Sequence, residues 1–90
     1  MTNIMVAKNT VKDYGVWREV FDGNTAMQAE YGLHIKGVYQ SKADPNTVFV
    51  LIEVEDMARA QEMMKKAEET GVFDKAGVID AERTLCDDVT

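Results

Sequence analysis

The sequence is poor in the residues that cross-link a protein or bind metals. Cys86 is the single cysteine and Pro45 the single proline among 90 residues, and there is one histidine. One cysteine excludes an intramolecular disulfide and a cysteine metal cluster. One His and one Cys at distant positions form no recognisable ligand spacing. We therefore expect no metal and no other cofactor.

Basic residues and long apolar runs are also scarce. Ten Lys and Arg stand against sixteen Asp and Glu, which gives a formal net charge of −6. Such a surface repels phosphate groups, so nucleic acids and anionic membranes are disfavoured as partners. No apolar run reaches the roughly 18 residues that cross a bilayer, and residues 1–10 lack the pattern of a secretion signal. These features predict a cytoplasmic protein.

The spacing of apolar residues predicts one α+β domain that covers residues 1–90. Alternating or continuous apolar runs indicate strands, and apolar residues three or four apart indicate helices. We predict a strand at 3–9, followed by a helix that is capped by Thr10, interrupted at Gly23 and Asn24, and stopped at Gly32. A hairpin of strands at 33–41 and 47–55 comes next. The chain then forms a helix capped by Asp56 that ends near Gly71, a helical turn at 72–78 and a strand at 80–87. The order βαββαβ is typical of a ferredoxin-like fold, with a four-stranded antiparallel sheet and both helices on one face.

Two of the predicted strands are apolar on both faces, at residues 4–7 and 48–52. Helices cover only one face of such a sheet, and a chain of 90 residues has nothing left to cover the other. Exposed apolar patches of this size mark interaction surfaces. We therefore expect a homodimer in which the uncovered face of the sheet packs against a second copy.

The hairpin register is predicted from its apolar alternation, because a slip of one residue turns every side chain over. Placing Tyr39 opposite Val48 brings Leu33 and Ile35 under the helices together with Tyr39. The pairs expected on the second face are His34 with Glu53, Lys36 with Leu51, and Val38 with Phe49.

His34 and Glu53 are the candidate catalytic residues. A histidine is the natural general base, and a carboxylate opposite it would orient one ring nitrogen. The other interpretation is a cross-strand pair at the dimer interface, and it is favoured because no nucleophile or converging group accompanies the pair.

Aromatic residues and methionines predict a ligand site between the helices and the sheet. The candidate ligand-binding residues are Trp17, Phe21, Tyr39 and Met64. Aromatic and flexible apolar side chains suit a planar apolar ligand. The competing interpretation is an ordinary core, since aromatic residues dominate the cores of small domains.

Several short segments resemble the dimeric α+β barrel superfamily. The matching positions are the run 11–14 with Trp17 and Phe21, then Met27, Gly32, the turn 44–46 before a strand that ends at Glu53, and the run 75–78. The resemblance implies two ferredoxin-like sheets packed face to face. Its known activities include cofactor-independent antibiotic biosynthesis monooxygenases, haem-degrading monooxygenases and muconolactone isomerases. The haem-binding histidine of the second helix has no counterpart at 56–70, and Trp17 and Tyr39 are analogous to the aromatic residues of quinone-forming members.

Together these patterns predict a small homodimer that binds an apolar or aromatic molecule, and the resemblance implies a cofactor-independent monooxygenase. The alternative is a non-catalytic ligand-binding, regulatory or interaction module.

Overall fold

A computed structural model describes residues 2–90 as a four-stranded antiparallel sheet with helices on one face. The elements are β1 (Asn3–Val11), α1 (Tyr14–Gly23), α2 (Thr25–Glu30), β2 (Leu33–Gln40), β3 (Thr47–Val54), α3 (Met57–Thr70), α4 (Val72–Lys75) and β4 (Val78–Asp87). The strands lie in the order β2-β3-β1-β4. The predicted α+β ferredoxin-like fold is therefore confirmed. No helix within residues 2–90 is long and apolar enough to span a membrane.

The first helix begins later than the sequence predicted, because β1 is longer. Thr10 is paired with Thr47 in the sheet, so it is not a helix cap. Asp13 takes that role, and its carboxylate accepts a hydrogen bond of 3.2 Å from the backbone N–H of Val16. An aspartate in this position satisfies a backbone donor that the helix itself leaves free. The predicted interruption at Gly23 and Asn24 is confirmed, since it separates α1 from α2.

The ends of α3 follow the prediction. The Asp56 carboxylate accepts hydrogen bonds from the first turn, and Gly71 ends the helix with a φ of 70°, in the left-handed region that favours glycine. The residues of α3 that are buried against the sheet are Ala60, Met63 and Ala67. They lie three and four positions apart, as the face of one helix requires.

Burial alternates strictly along β3, so the two faces of the sheet are distinct. Every second residue from Val48 to Val54 is buried under the helices, and the residues between them are half-buried. We call the face opposite the helices the open face. Its half-buried apolar residues are Ile4, Val6, Phe49 and Leu51.

The predicted hairpin register is right at one end and wrong at the other. The observed pairs are Leu33 with Val54, His34 with Glu53, Ile35 with Ile52, Gly37 with Leu51, Val38 with Val50 and Tyr39 with Phe49. A β-bulge at Lys36 inserts one extra residue into β2, and every later side chain changes face as a result. Val38 therefore packs against the core, while Tyr39 lies on the open face.

Tyr39 is 53% exposed, and its ring lies over Gly37. A Cβ atom at position 37 would collide with that ring. The placement of Tyr39 under the helices was therefore wrong, and the physical reason is the bulge. Glycine at position 37 leaves the space that the ring occupies on the open face.

Candidate functional site

A cavity of about 110 Å³ lies between the helices and the sheet. Trp17 and Phe21 of α1 form one wall, with their rings stacked at a centroid distance of 4.8 Å. Trp17 is only 4% exposed. Phe73 and four methionines also line the cavity: Met5, Met27, Met63 and Met64. A closed cavity of roughly 150 Å³ holds benzene, so this volume has room for no more than one aromatic ring.

The cavity exists because three small residues meet where larger ones would fill the space. Ala7 of β1, Ala67 of α3 and Ala76, which follows α4, are all buried and all line it. Each alanine leaves a gap, and protein interiors normally close gaps of this size. The void is thus built from residues that are far apart in the sequence.

The break between α1 and α2 shapes the opposite side of the cavity. At the break, the Asn24 side-chain amide donates a hydrogen bond of 2.8 Å to the carbonyl of Val20. The second helix then turns so that Met27 and Gln28 line the cavity. The Oε1 atom of Gln28 is buried, and it has no hydrogen-bond partner within residues 2–90. A buried acceptor of this kind favours a ligand that carries a hydrogen-bond donor.

Two further polar side chains line the cavity from the sheet. Asn9 of β1 is 8% exposed, and it is the buried polar residue in a core that is otherwise apolar over residues 2–90. Arg83 of β4 extends beside Phe73, with 5.2 Å between its Cζ atom and the ring centroid. Desolvation of the guanidinium lowers the pKa of Arg83, and the charge of Glu68 partly offsets this effect. The cavity is therefore apolar with polar groups at defined points.

Comparison with known proteins gives matches at the level of structure. No family profile matches the chain, and no curated protein matches its sequence. A candidate antibiotic biosynthesis monooxygenase from Bordetella bronchiseptica superposes with a TM-score of 0.81 at 9% identity, covering 99% of this chain and 98% of that one. A mutant of SnoaB, a cofactor-independent oxygenase from Streptomyces nogalater, superposes with a TM-score of 0.76 at 14% identity, covering 99% and 94%.

The chain shares the fold of these two proteins. The resemblance noted in the sequence is thus confirmed for the fold. A NIPSNAP-family protein of unknown function from Agrobacterium tumefaciens shares it as well, with a TM-score of 0.72 at 13% identity over 94% of this chain and 86% of that one. The fold therefore occurs in oxygenases and also in proteins without an assigned activity.

Three of the four predicted ligand-binding residues line the cavity. These are Trp17, Phe21 and Met64. Tyr39 does not line it, because the bulge turns its side chain to the open face. The binding role of the first three stays a prediction.

His34 and Glu53 are paired across the strands as predicted, but their ionic partners differ from the prediction. The Nε2 atom of His34 is 3.0 Å from Oε1 of Glu55, and the Nζ atom of Lys36 is 3.1 Å from Oε2 of Glu53. Both ion pairs belong to the open face and are absent from the cavity lining. The sheet therefore separates the two candidate catalytic residues from the cavity.

Sequence reasoning missed the polar groups of the cavity. Asn9 is a polar residue at a core position of an otherwise apolar alternation in β1, which is a usable signal. Arg83 is the one basic residue among the acidic residues of the last strand, which is also unusual. Gln28 carries no such signal, because its position depends on the break before α2. Within residues 2–90 no group of three or more His, Cys, Asp or Glu is placed to hold a metal ion.

Proposed function

We propose that this protein binds a small, singly ringed aromatic molecule in the cavity between its helices and sheet and oxidises it as a cofactor-independent monooxygenase. The observation that carries the proposal is the cavity itself, which has aromatic and methionine walls and a buried amide at Asn9. The likeness to the Streptomyces nogalater oxygenase supports the class of reaction. The volume of about 110 Å³ supports the choice of one ring.

The proposed site combines shape with a few polar contacts. An aromatic ring can stack against Trp17 or Phe21, and methionine side chains adapt to its outline. Asn9 can donate to or accept from an oxygen substituent, and Gln28 offers a buried acceptor. A ligand that carries a hydroxyl group would therefore satisfy the Gln28 oxygen, which is buried without a hydrogen-bond partner within residues 2–90.

The oxidation needs only the substrate and molecular oxygen. A phenol supplies the electrons: one oxygen atom of O₂ replaces a ring hydrogen and becomes the second carbonyl of a quinone. The other oxygen atom leaves as water, with the displaced ring proton and the hydroxyl proton. In this scheme the protein positions the ring, keeps bulk water out and donates the amide of Asn9 to a developing carbonyl oxygen.

A second candidate function, ligand binding without catalysis, is favoured by one observation. No carboxylate and no imidazole lines the cavity within residues 2–90, so no side chain there acts as a base that takes the substrate proton. A regulatory or carrier protein needs no such acceptor. The two functions differ in whether a bound phenol consumes oxygen.

We also propose that the functional unit is a homodimer formed through the open face. The apolar centre of this face is Ile4, Val6, Phe49 and Leu51, and the ion pairs of His34 and Lys36 lie toward one end of it. An apolar centre with a polar rim is the usual anatomy of an interface. Light scattering during size-exclusion chromatography tests the proposal, because a stable monomer of 10.1 kDa at micromolar concentration would contradict it.

The function is tested by binding and oxygen consumption on the same samples. Monocyclic phenols should raise the melting temperature and change the fluorescence of Trp17, the one tryptophan in the sequence. Oxygen uptake with formation of quinone, without added metal or flavin, would support the enzyme. Binding without uptake would support the non-catalytic alternative, and no binding of any ring compound would refute both.

A further inference from the structure

One charged residue stands out in the cavity wall. Of the nineteen residues that line the cavity, Arg83 is the only one whose side chain is charged at neutral pH. The others are apolar or carry uncharged amides. The protein as a whole has a net charge of −6, so a positively charged side chain is less expected than a negative one at any given position. The wall therefore combines a neutral interior with one positive group.

The surroundings of Arg83 leave its charge without a close carboxylate. The salt bridges found within residues 2–90 involve Arg18, His34 and Lys36, and none involves Arg83. Glu68 acts on it by charge alone, and the Phe73 ring lies beside the guanidinium at 5.2 Å. Arg83 is an exposed residue of the edge strand β4, and partial desolvation of its guanidinium against the cavity wall lowers its pKa. A guanidinium retains its proton under these conditions and offers several donors in one plane.

We infer that Arg83 selects ligands that carry an anionic oxygen on the aromatic ring, such as a phenolate or an aromatic carboxylate. The inference rests on the proposed function, because it concerns a ligand in the same cavity. An anion beside the guanidinium would form a charge-assisted hydrogen bond, and no carboxylate of the described residues competes for it in an ion pair. For a phenol, the same contact favours the ionised form, which is also the form that gives electrons to oxygen most readily.

A structural role for Arg83 would be to cover the Phe73 ring. Such a role predicts that its removal weakens the binding of neutral and anionic ligands alike, or lowers stability. A role in selecting an anion predicts an effect on the charged ligand alone. The two roles are therefore separated by a pair of probes that differ only in whether they can ionise.

The probes are 4-nitrophenol and its methyl ether, 4-nitroanisole, each with a single ring. The phenol and phenolate forms of 4-nitrophenol absorb at different wavelengths, so the ionisation of the bound molecule is read directly. Binding of both probes is followed by quenching of Trp17. We expect the pKa of bound 4-nitrophenol to fall by about one unit below its value in free solution, which is a tenfold preference for the phenolate.

Three variants bracket the effect. Arg83→Gln should abolish the pKa shift of the bound probe and weaken phenolate binding about tenfold, with less than a twofold change for 4-nitroanisole. Arg83→Lys should retain part of the shift, because it keeps the charge but loses the planar guanidinium. Glu68→Gln removes the nearby negative charge, so the shift should increase. The control is Lys42→Gln, an exposed position in the hairpin turn that changes the net charge equally and should have no effect.

Each outcome decides the inference. Selective loss of phenolate binding in Arg83→Gln supports it, and so does a larger shift in Glu68→Gln. An equal loss for both probes, or a pKa shift that persists in Arg83→Gln, would overturn it. Binding of 4-nitroanisole with no preference for the phenolate would overturn this inference and leave the proposed cavity function intact. Failure of both probes to bind the unaltered protein would overturn both together.

Discussion

Replacing Ala67 by leucine should stabilise this protein, although the same kind of change usually destabilises a core. Ala67 is 3% exposed and lines the cavity. The three added carbon atoms would contribute at most about 2.4 kcal/mol, at ~0.8 kcal/mol for each buried carbon. Leucine also has nearly the helix propensity of alanine, so α3 should be retained.

We expect a net gain of about 1 kcal/mol, since the new side chain loses rotamer freedom and fits the space imperfectly. In a domain of this size, that gain raises the melting temperature by roughly 4–8 °C. Denaturant unfolding measures the free energy, and calorimetry measures the temperature. The same variant should no longer bind monocyclic phenols, because the leucine occupies their space.

Ala60 provides the matched control for this experiment. It lies seven residues earlier on the same face of α3 and is similarly buried, at 5% exposed, but it does not line the cavity. Ala60→Leu should therefore overpack the core and destabilise it by about 1–3 kcal/mol. If Ala67→Leu destabilises the protein as much as Ala60→Leu does, the space beside Ala67 is closed in solution and the reasoning is refuted.

Three further perturbations test other parts of the structure. Asp56→Ala should lower the free energy of unfolding by about 1 kcal/mol through loss of the α3 cap, while Asp56→Asn should be nearly neutral in the same urea titration. Gly37→Ala should destabilise the folded protein by roughly 1–3 kcal/mol, because the new methyl group displaces the Tyr39 ring. The double variant with Tyr39→Ala should recover most of that loss. No recovery would show that the strain lies in the backbone of the bulge. Phe49→Asp should reduce the mass measured by light scattering to that of one chain, while Phe49→Leu keeps the dimer, and a fully dimeric Phe49→Asp would place the interface elsewhere.

The features that the sequence predicted correctly are those set by local rules. The caps at Asp56 and Gly71 and the break at Gly23 depend on a few neighbouring residues and their backbone preferences. The element order follows from the spacing of apolar residues, which is two in strands and three to four in helices. Both kinds of signal are read within one element, so tertiary packing is not needed to find them.

The bulge at Lys36 shows where a local rule fails. A prediction of alternation counts residues in steps of two, whereas a bulge adds one residue and reverses all the later positions. A signal was present in the sequence, because the apolar residues Leu33 and Ile35 are two positions apart and Val38 follows after three, with a glycine between. Reading that change of step together with Gly37 would have placed Tyr39 on the open face.

The cavity was predicted only through its large side chains. Trp17, Phe21 and Met64 were identified because aromatic residues and methionines are visible in the sequence, but a void is defined by what is missing. Its volume depends on alanines that β1, α3 and the segment after α4 bring together, and their proximity is a property of the tertiary structure. The same holds for Arg83, whose position against Phe73 depends on how α4 packs beside β4.

The pattern that builds the cavity wall also keeps the histidine out of it. Leu33 is buried and lines the cavity, and His34 follows it in the same strand, so the two side chains point to opposite faces. Bringing His34 to the cavity would require a slip of one residue, which would expose Leu33 and Ile35 to solvent. Exposing the buried Leu33 and the half-buried Ile35 costs roughly 2–4 kcal/mol, a large part of the stability of a small domain. A chain with this alternation therefore brings no imidazole base from His34 to a ring in the cavity, and the proposed oxidation would begin from a substrate that is already ionised. The charge of Arg83 fits that requirement. A guanidinium in the wall would lower the free energy of an ionised substrate in a cavity that has no carboxylate or imidazole base.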